Sequence, residues 1–271
     1  ASAAERAGVQ AGDEILEIEG IEHPTPWGAQ NRAGRFRFLR GENVLNLDLM
    51  PGPLTIDSSP QLSRLRPGVG LLEISSFRSG YFKREDWIQL AKQFPAYDHL
   101  IIDLRENAGG NFVAMLRALS TFVCQERSAG VLVKPRKEGE QKPFFEDNTD
   151  DLYQINELDK YQSLTLRTFK DYGCYRGRVT VLIGPDTSSV AEIFAQNFFY
   201  RAGSRVWGQP SAGDVVLAVW YDLPALGKGF SVSIPEAVYL TPENKELEGQ
   251  GVYPKRELFQ DLQSARRGRD A

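Results

Sequence analysis

Residues 100–110, Leu-Ile-Ile-Asp-Leu-Arg-Glu-Asn-Ala-Gly-Gly, are the stretch of sequence that decides the fold. Leu100–Leu104 is a short apolar run with an acidic residue near its end, which is typical of a buried strand. A polar turn with two adjacent glycines follows, and the pattern of residues 111–123 predicts a helix directly after it. Adjacent glycine N–H groups at such a turn can point at an anion. The two glycines can equally serve only to permit the turn.

Strands and helices alternate through much of the chain around this segment. Buried strands are predicted at 69–75 and 179–183, and helices at 82–94 and 111–123. Alternation of this kind indicates an α/β architecture. The polar segment 125–176 interrupts the alternation, and we predict a surface insertion there, with one helix near 151–170.

A separate small unit precedes this region and is predicted to cover residues 1–52. Within it, a helix is predicted over 27–39, and Leu residues that alternate with polar residues at 45–49 predict a half-buried strand. A Pro-Gly-Pro break then predicts a linker over 53–67. The chain begins without methionine in a predicted helix, so we expect it to be a piece of a longer protein.

Composition excludes several classes of function for this 271-residue chain. Its net charge of −4 argues against sequence-independent binding of nucleic acid. No stretch approaches the roughly 18 apolar residues of a membrane span. Two cysteines, Cys124 and Cys174, exclude a disulfide framework and a cysteine-based zinc site. They could form one disulfide, but the expectation for two isolated cysteines is that they remain free thiols. Two histidines, His23 and His99, leave no multi-histidine metal site, and the sequence implies neither a metal nor a cofactor.

Ser189 is the first candidate for chemistry, because a buried strand and a short turn precede it and a helix follows it. A serine in this position is exposed at the carboxyl edge of a sheet, beside helix N-terminal N–H groups that can bind an oxyanion. The structural alternative is that Ser189 or a neighbour only caps the helix. Glu248, among glycines near the chain end, can orient a histidine or serve only in a turn.

Taken together and in order, six segments resemble peptidase family S41, the group of C-terminal-processing (tail-specific) proteases and tricorn-core proteases. The resemblance covers about residues 2–258. The segments are 2–20 (SAAERAGVQAGDEILEIEG), 70–77 (GLLEISSF), 100–110 (LIIDLRENAGG), 187–194 (TSSVAEIF), 207–213 (WGQPSAG) and 248–254 (EGQGVYP).

The resemblance implies a ClpP/crotonase-like α/β protease core at 68–260, preceded by a partial PDZ domain at 1–52 and followed by a charged tail at 261–271. It implies a serine nucleophile at Ser189 and an oxyanion hole formed by backbone N–H groups. The oxyanion residues would be Gly109 or Gly110 together with Val190, and the supporting residues Asp103, Arg105, Asn107 and Glu192.

The general base is where this sequence departs from part of the family. One branch uses a Ser–Lys dyad with the lysine about 25 residues after the serine, where this chain has Asp214. The other branch uses Ser–His–Glu, and Glu248 fits its glutamate. Its histidine precedes the PDZ module, so it would lie upstream of residue 1. We expect His23 to lie on the surface and His99 to lie far from Ser189.

The resemblance therefore predicts a serine endopeptidase that acts through an acyl-enzyme on protein or peptide substrates, which a PDZ module can recognise by their C-terminal tails. It also implies a location outside the cytoplasm, in a periplasm or lumen. The main alternative is a catalytically inactive binding module of the same fold for a peptide or an apolar ligand, since fold alone does not determine function. An acyl-CoA enzyme of the crotonase type is disfavoured by the PDZ-like start and the serine motif.

Overall fold

The computed structural model describes residues 2–10, 12–24, 32–52, 57–134, 141–142, 146–147, 161–227 and 229–259. The chain divides into two compact units, one of Ala1–Asp57 with Leu258–Ala271 and one of Ser58–Glu257. The predicted charged tail at 261–271 lies outside the described residues, as does most of the interior of the predicted insertion.

The first unit contains a short helix and a four-stranded antiparallel sheet in the order β2-β1-β3-β4. Its elements are α1 (Ala3–Arg6), β1 (Glu14–Ile18), β2 (Ile21–Glu22), β3 (Gly34–Arg40) and β4 (Asn43–Leu49). The helix predicted over 27–39 is wrong for its described part, because residues from 34 onward form β3. Phe36 and Phe38 are buried between exposed arginines, which is the two-residue period of a strand.

A small core of its own stabilises the first unit. Ile18, Phe36, Phe38 and Leu49 are buried in it. At the edge of the unit, the Arg40 guanidinium donates to the Asp13 carboxylate at 2.7 Å and holds the pKa of Asp13 below its usual value. The assignment of this unit to a partial PDZ domain stays a prediction.

The second unit is built on two sheets. The six-stranded sheet has the order β15-β12-β11-β7-β6-β5, and all neighbouring strands in it are parallel except the β5–β6 pair. Its strands are β5 (Gln61–Arg66), β6 (Val69–Glu73), β7 (His99–Asp103), β11 (Arg178–Ile183), β12 (Ser204–Gly208) and β15 (Arg256–Glu257). The linker predicted over 53–67 is therefore wrong at 61–66, where β5 pairs with β6.

The second sheet has the order β13-β14-β8-β10-β9. Its strands are β8 (Ser128–Val133), β9 (Gln141–Lys142), β10 (Ser163–Arg167), β13 (Leu217–Asp222) and β14 (Ser231–Leu240). Strands β8 to β10 fall within the segment predicted to be an irregular insertion. The helix predicted near 151–170 is wrong at 163–167, which form β10, and residues 151–160 lie outside the described part of the chain.

Among its described residues, the second unit also contains three α-helices: α2 (Arg84–Ala91), α3 (Phe112–Val123) and α4 (Val190–Asn197). Between the helices and sheets lies one continuous hydrophobic core, in which aromatic rings from all three helices meet. Phe122 of α3, for example, packs against Phe194 and Phe198 at ring centroid distances of 6.2 and 5.6 Å. None of the helices in the described part of the chain is long and apolar enough to cross a membrane.

Cys124 and Cys174 form a disulfide with a Cα–Cα distance of 4.7 Å, so the expectation of free thiols is wrong. Cys124 ends α3 in a left-handed conformation, and Cys174 lies shortly before β11. The two residues are 50 positions apart. Only the packing of the 168–177 segment against the end of α3 brings them together, and no sequence pattern reports that contact.

Removal of this disulfide is expected to lower the free energy of unfolding by about 2–4 kcal/mol, because the bond closes a long loop in the unfolded chain. The measurement is guanidinium unfolding of the oxidised and the reduced protein. A Cys124→Ser, Cys174→Ser double variant serves as the control, because its unfolding midpoint should not respond to reductant. Identical midpoints for oxidised and reduced wild-type protein would contradict this expectation.

Candidate active site

Four segments meet at the carboxyl edge of the six-stranded sheet: residues 104–110 after β7, 184–189 after β11, 209–216 after β12, and 247–252. The carboxyl ends of parallel strands share one edge, which is where open α/β sheets place their sites. Backbone hydrogen bonds join these segments directly, including Ser188 N–H to the Asn107 carbonyl at 3.0 Å and Gly249 N–H to the Gly213 carbonyl at 2.8 Å.

Asn107 organises the first of these segments and is completely buried. Its side-chain amide donates to the Ile74 carbonyl at 2.7 Å, and its Oδ1 accepts the Gly109 N–H at 2.8 Å. With the backbone bond from Ser188, Asn107 ties the end of β6, the glycine turn and the serine turn together. Earlier in the same turn, Asp103 accepts from the Arg105 backbone N–H and from its Nε, each at 3.0 Å.

The two glycines of the turn are required by space as well as by conformation. Gly109 has φ of +92° and Gly110 has φ of +142°. A Cβ at Gly109 would lie 2.6 Å from the Ser189 Cβ, and a Cβ at Gly110 would lie 2.4 Å from the Phe77 carbonyl carbon. The turn therefore lies in direct contact with the Ser189 side chain.

The amide groups of this turn differ in their availability. The Gly109 N–H is used internally, since it donates to Asn107. Within the described residues, neither the Gly110 N–H nor the Val190 N–H has a hydrogen-bond acceptor. These two donors belong to the turn that touches Ser189 and to the first residue of α4, which follows Ser189.

Ser189 is the N-cap residue of α4, but its side chain forms no capping hydrogen bond, and the Glu192 carboxylate instead accepts the Ser189 N–H. Its backbone has φ of +58° and ψ of −130°. An ordinary N-cap residue has extended backbone, so capping does not require this conformation. Strain of this kind persists only where surrounding contacts enforce it, and such strain clusters at functional sites. Here the Ser189 N–H donates to the Asp214 carbonyl at 2.9 Å and to the Glu192 Oε2 at 3.0 Å.

Glu192 is a fully buried carboxylate that joins the serine to the segment after β12. Besides the Ser189 N–H, it accepts the Gly213 N–H at 2.8 Å, the Asp214 N–H at 3.1 Å and the Ser211 hydroxyl at 2.6 Å. Burial raises the pKa of Glu192, and the hydrogen bonds that it accepts act in the opposite direction.

Ser211 is a site residue to which no sequence motif assigned a role. Its hydroxyl donates to Glu192 and accepts the Val252 N–H at 2.7 Å, so it links two of the four segments. A serine in a glycine-rich stretch carries no signal of this role in the sequence.

Glu248 also reaches this edge of the sheet. Its Oε2 accepts the Val215 N–H at 2.6 Å and the Val216 N–H at 2.8 Å, immediately after Asp214. Within the described residues, no hydrogen bond to Oε1 of Glu248 is present. Glu248 therefore lies one backbone segment away from Ser189, with one carboxylate oxygen in use.

His99 lies at the opposite end of the sheet. It pairs with Arg178 at the start of β11, whereas Ser189 follows the end of that strand. Four or five residues of strand separate the two ends by about 13–17 Å. The Nε2 of His99 lies 2.9 Å from the Thr180 hydroxyl. Burial lowers the pKa of the His99 imidazole, and the positive charges of nearby arginines lower it further. His23 belongs to the first unit.

The structure thus places a strained serine at a helix N-terminus beside a glycine turn on an α/β fold. Comparison with known proteins shows the family. The family model for Peptidase family S41 matches residues 68–258. The chain belongs to peptidase family S41, whose members are serine peptidases.

Among curated proteins, the chain is similar to a carboxyl-terminal-processing protease from Synechocystis sp., with 24% identity over 277 residues. That match covers 96% of this chain and 58% of the relative, so the chain spans somewhat more than half of the relative's length. The chain is also similar in fold to the photosystem II D1 C-terminal processing protease, with a TM-score of 0.56, 20% identity, and 98% and 69% coverage of the two chains. Mature CPAF complexed with lactacystin gives a TM-score of 0.64, 13% identity, and 96% and 76% coverage.

Proposed function

We propose that this protein is a serine endopeptidase of the C-terminal-processing type and that Ser189 is its nucleophile. The observation that carries the proposal is the strained Ser189 backbone in contact with the Gly109–Gly110 turn. In the proposed reaction, the Ser189 hydroxyl attacks a peptide carbonyl and the amine leaves with a proton. Water then hydrolyses the acyl-enzyme and restores the serine.

The oxyanion of the tetrahedral intermediate is held by backbone N–H groups. Gly110 and Val190 suit this role, because their N–H groups have no acceptor within the described residues, whereas the Gly109 N–H is bound to Asn107. Donors fixed in advance stabilise the developing charge without a cost of reorganisation. Asn107 and Glu192 are positioning residues, since they hold the glycine turn and the serine turn through hydrogen bonds.

A histidine upstream of residue 1 is the proposed general base, with Glu248 as its orienting carboxylate. Asp214 occupies the place of the family lysine and has a carboxyl group instead of an amine, and His99 lies at the far end of the sheet. The Oε1 of Glu248 can accept a hydrogen bond from the imidazole, which would fix its tautomer and stabilise its protonated form. The length of the curated relative supports a longer protein.

The substrate is proposed to be a protein or peptide, selected in part by its C-terminal tail. A location outside the cytoplasm, in a periplasm or lumen, is proposed on the family resemblance. The Cys124–Cys174 disulfide supports it, since disulfides persist mainly in oxidising compartments.

A catalytically inactive binding module is the second candidate, and Asp214 at the lysine position is the observation that favours it. One experiment separates the two functions. A fluorophosphonate probe should label Ser189 in the protein that includes its upstream sequence, as mapped by mass spectrometry. Residues 1–271 alone should react at least about 100-fold more slowly, because they lack the base. Absence of labelling in the longer protein would contradict the endopeptidase and support the binding module.

A further inference from the structure

One face of the six-stranded sheet carries a row of arginines that the proposed active site does not use. Leu100 and Ile102 of β7 point into the core, so the residues that alternate with them point to the other face. His99 lies on that second face, and Arg178 is its direct partner on β11. Residues paired across neighbouring strands share a face.

The same face continues to both edges of the sheet. Thr180, two residues after Arg178, pairs with Arg205 of β12. Trp207 of β12 pairs with Arg256 of the edge strand β15. Toward the opposite edge, the partner of His99 on β6 is Val69, which pairs with Arg66 of β5. We call Arg66, Arg178, Arg205 and Arg256 the arginine row.

The guanidinium groups of the arginine row are available for a ligand. All four side chains are exposed, and none of them forms an ion pair with a residue that the structure describes. Three of them lie close enough to His99 to disfavour its protonation. Placing like charges next to one another lowers stability. The chain has 36 acidic residues and 32 basic ones, so acidic partners for these arginines are not scarce in the sequence. The row is therefore a costly arrangement for a sheet surface without a ligand.

Trp207 orients two members of the row. The guanidinium carbons of Arg205 and Arg256 lie 5.4 and 5.2 Å from the centre of its ring. Stacked guanidinium groups are held in place and keep their donors for bidentate binding of carboxylates. The row therefore presents oriented donors in addition to a general positive field.

We propose that the arginine row is a docking site for an acidic segment of a polypeptide partner. The row crosses six strands, which is about 24 Å at a strand spacing of about 4.8 Å, and it advances four residues along the strands from Arg178 to Arg256, so its ends lie about 27 Å apart. About eight residues of extended chain cover that distance. A narrow row suits such a segment, because the carboxylates of the segment can each bind an arginine. The segment then makes little contact with the remaining surface of the protein, whose net charge is −4. An anionic bilayer or a long nucleic acid would also face that acidic surface and be repelled by it.

Fluorescence anisotropy with a fluorescein-labelled peptide of about ten glutamates tests the proposal. The wild-type chain is expected to bind the peptide with an affinity that falls as salt rises. An Arg178→Glu, Arg205→Glu double variant should bind at least tenfold more weakly. The matched control is Lys83→Glu, Lys92→Glu, which makes the same change in net charge at the two ends of α2 and should bind as the wild type does.

Folding of each variant is checked by thermal unfolding, and an Arg178→Gln, Arg205→Gln variant provides a second, milder test that should also weaken binding. The proposal is overturned if the wild type does not bind the peptide or if both double variants in the row bind it normally. It is also overturned if phosphatidylserine vesicles or a single-stranded oligonucleotide of equal charge bind the row more tightly than the peptide does.

Discussion

Replacement of Ser189 by alanine is expected to lower the peptidase activity of the protein with its upstream sequence by about four to six orders of magnitude. The variant keeps the glycine turn and the substrate-binding surface but cannot form the acyl-enzyme. Stability should change little, because the hydrogen bonds that hold this residue come from its backbone N–H, which donates to Glu192 and Asp214. The measurement is cleavage of an unfolded protein substrate with a free C-terminus.

A Ser63→Ala variant is the control, since Ser63 is an exposed residue on the edge strand β5 and should leave the activity at the wild-type level. Fluorophosphonate labelling should be lost in the Ser189→Ala variant and kept in the control. An active Ser189→Ala enzyme would show that another residue is the nucleophile.

Replacement of Glu192 by alanine is expected to lower the free energy of unfolding by about 3 kcal/mol or more. The substitution leaves three buried or partly buried donors without their acceptor: the Gly213 and Asp214 N–H groups and the Ser211 hydroxyl. Activity should fall as well, because the strained Ser189 backbone loses one of its two hydrogen-bond partners. Guanidinium unfolding at neutral pH measures the stability.

Glu42→Ala is the matched control for stability, since Glu42 is exposed in the turn between β3 and β4 and should change the free energy of unfolding by less than about 0.5 kcal/mol. Glu192→Gln retains one acceptor oxygen and should be destabilised less than Glu192→Ala. Equal stability of the Glu192→Ala and Glu42→Ala proteins would refute the proposed positioning role.

The contribution of Glu192 to the free energy of unfolding is expected to change with pH in a defined direction. Burial raises the pKa of Glu192 above its ordinary value of 4.5, so the folded protein binds this proton more tightly than the unfolded chain does. The free energy of unfolding of the wild type should therefore fall, relative to Glu192→Gln, as pH rises from about 4.5 through the folded-state pKa. Above that pKa the difference between the two proteins should be constant.

Local patterns predicted the elements that carry the site. The apolar run ending at Asp103 forms β7, and the helix predicted over 111–123 is α3. Similarly, the helix that begins at Ser189 is α4. These predictions succeeded because a buried strand and an amphipathic helix are each specified by residues close in sequence.

Predictions failed where distant contacts decide the structure. Residues 61–66 look like linker, yet they pair with β6, because the adjoining strand supplies hydrogen-bond partners that composition does not reveal. Residues 34–39 belong to the stretch over which a helix was predicted, yet they form part of β3 and pair with two neighbouring strands. In both cases pairing across the sheet outweighs local preference.

By itself, the sequence determined the α/β class, the family and the identity of Ser189, the glycine turn and Glu248 as candidates, since each depends on short motifs in a fixed order. The tertiary structure alone decided which N–H groups of the turn have no acceptor, that Ser211 and Glu192 join separate segments, and that Cys124 pairs with Cys174. It also decided that arginines from four strands lie in one row. Each of these features joins residues far apart in the chain, and such contacts exist only once the sheets have brought the segments together.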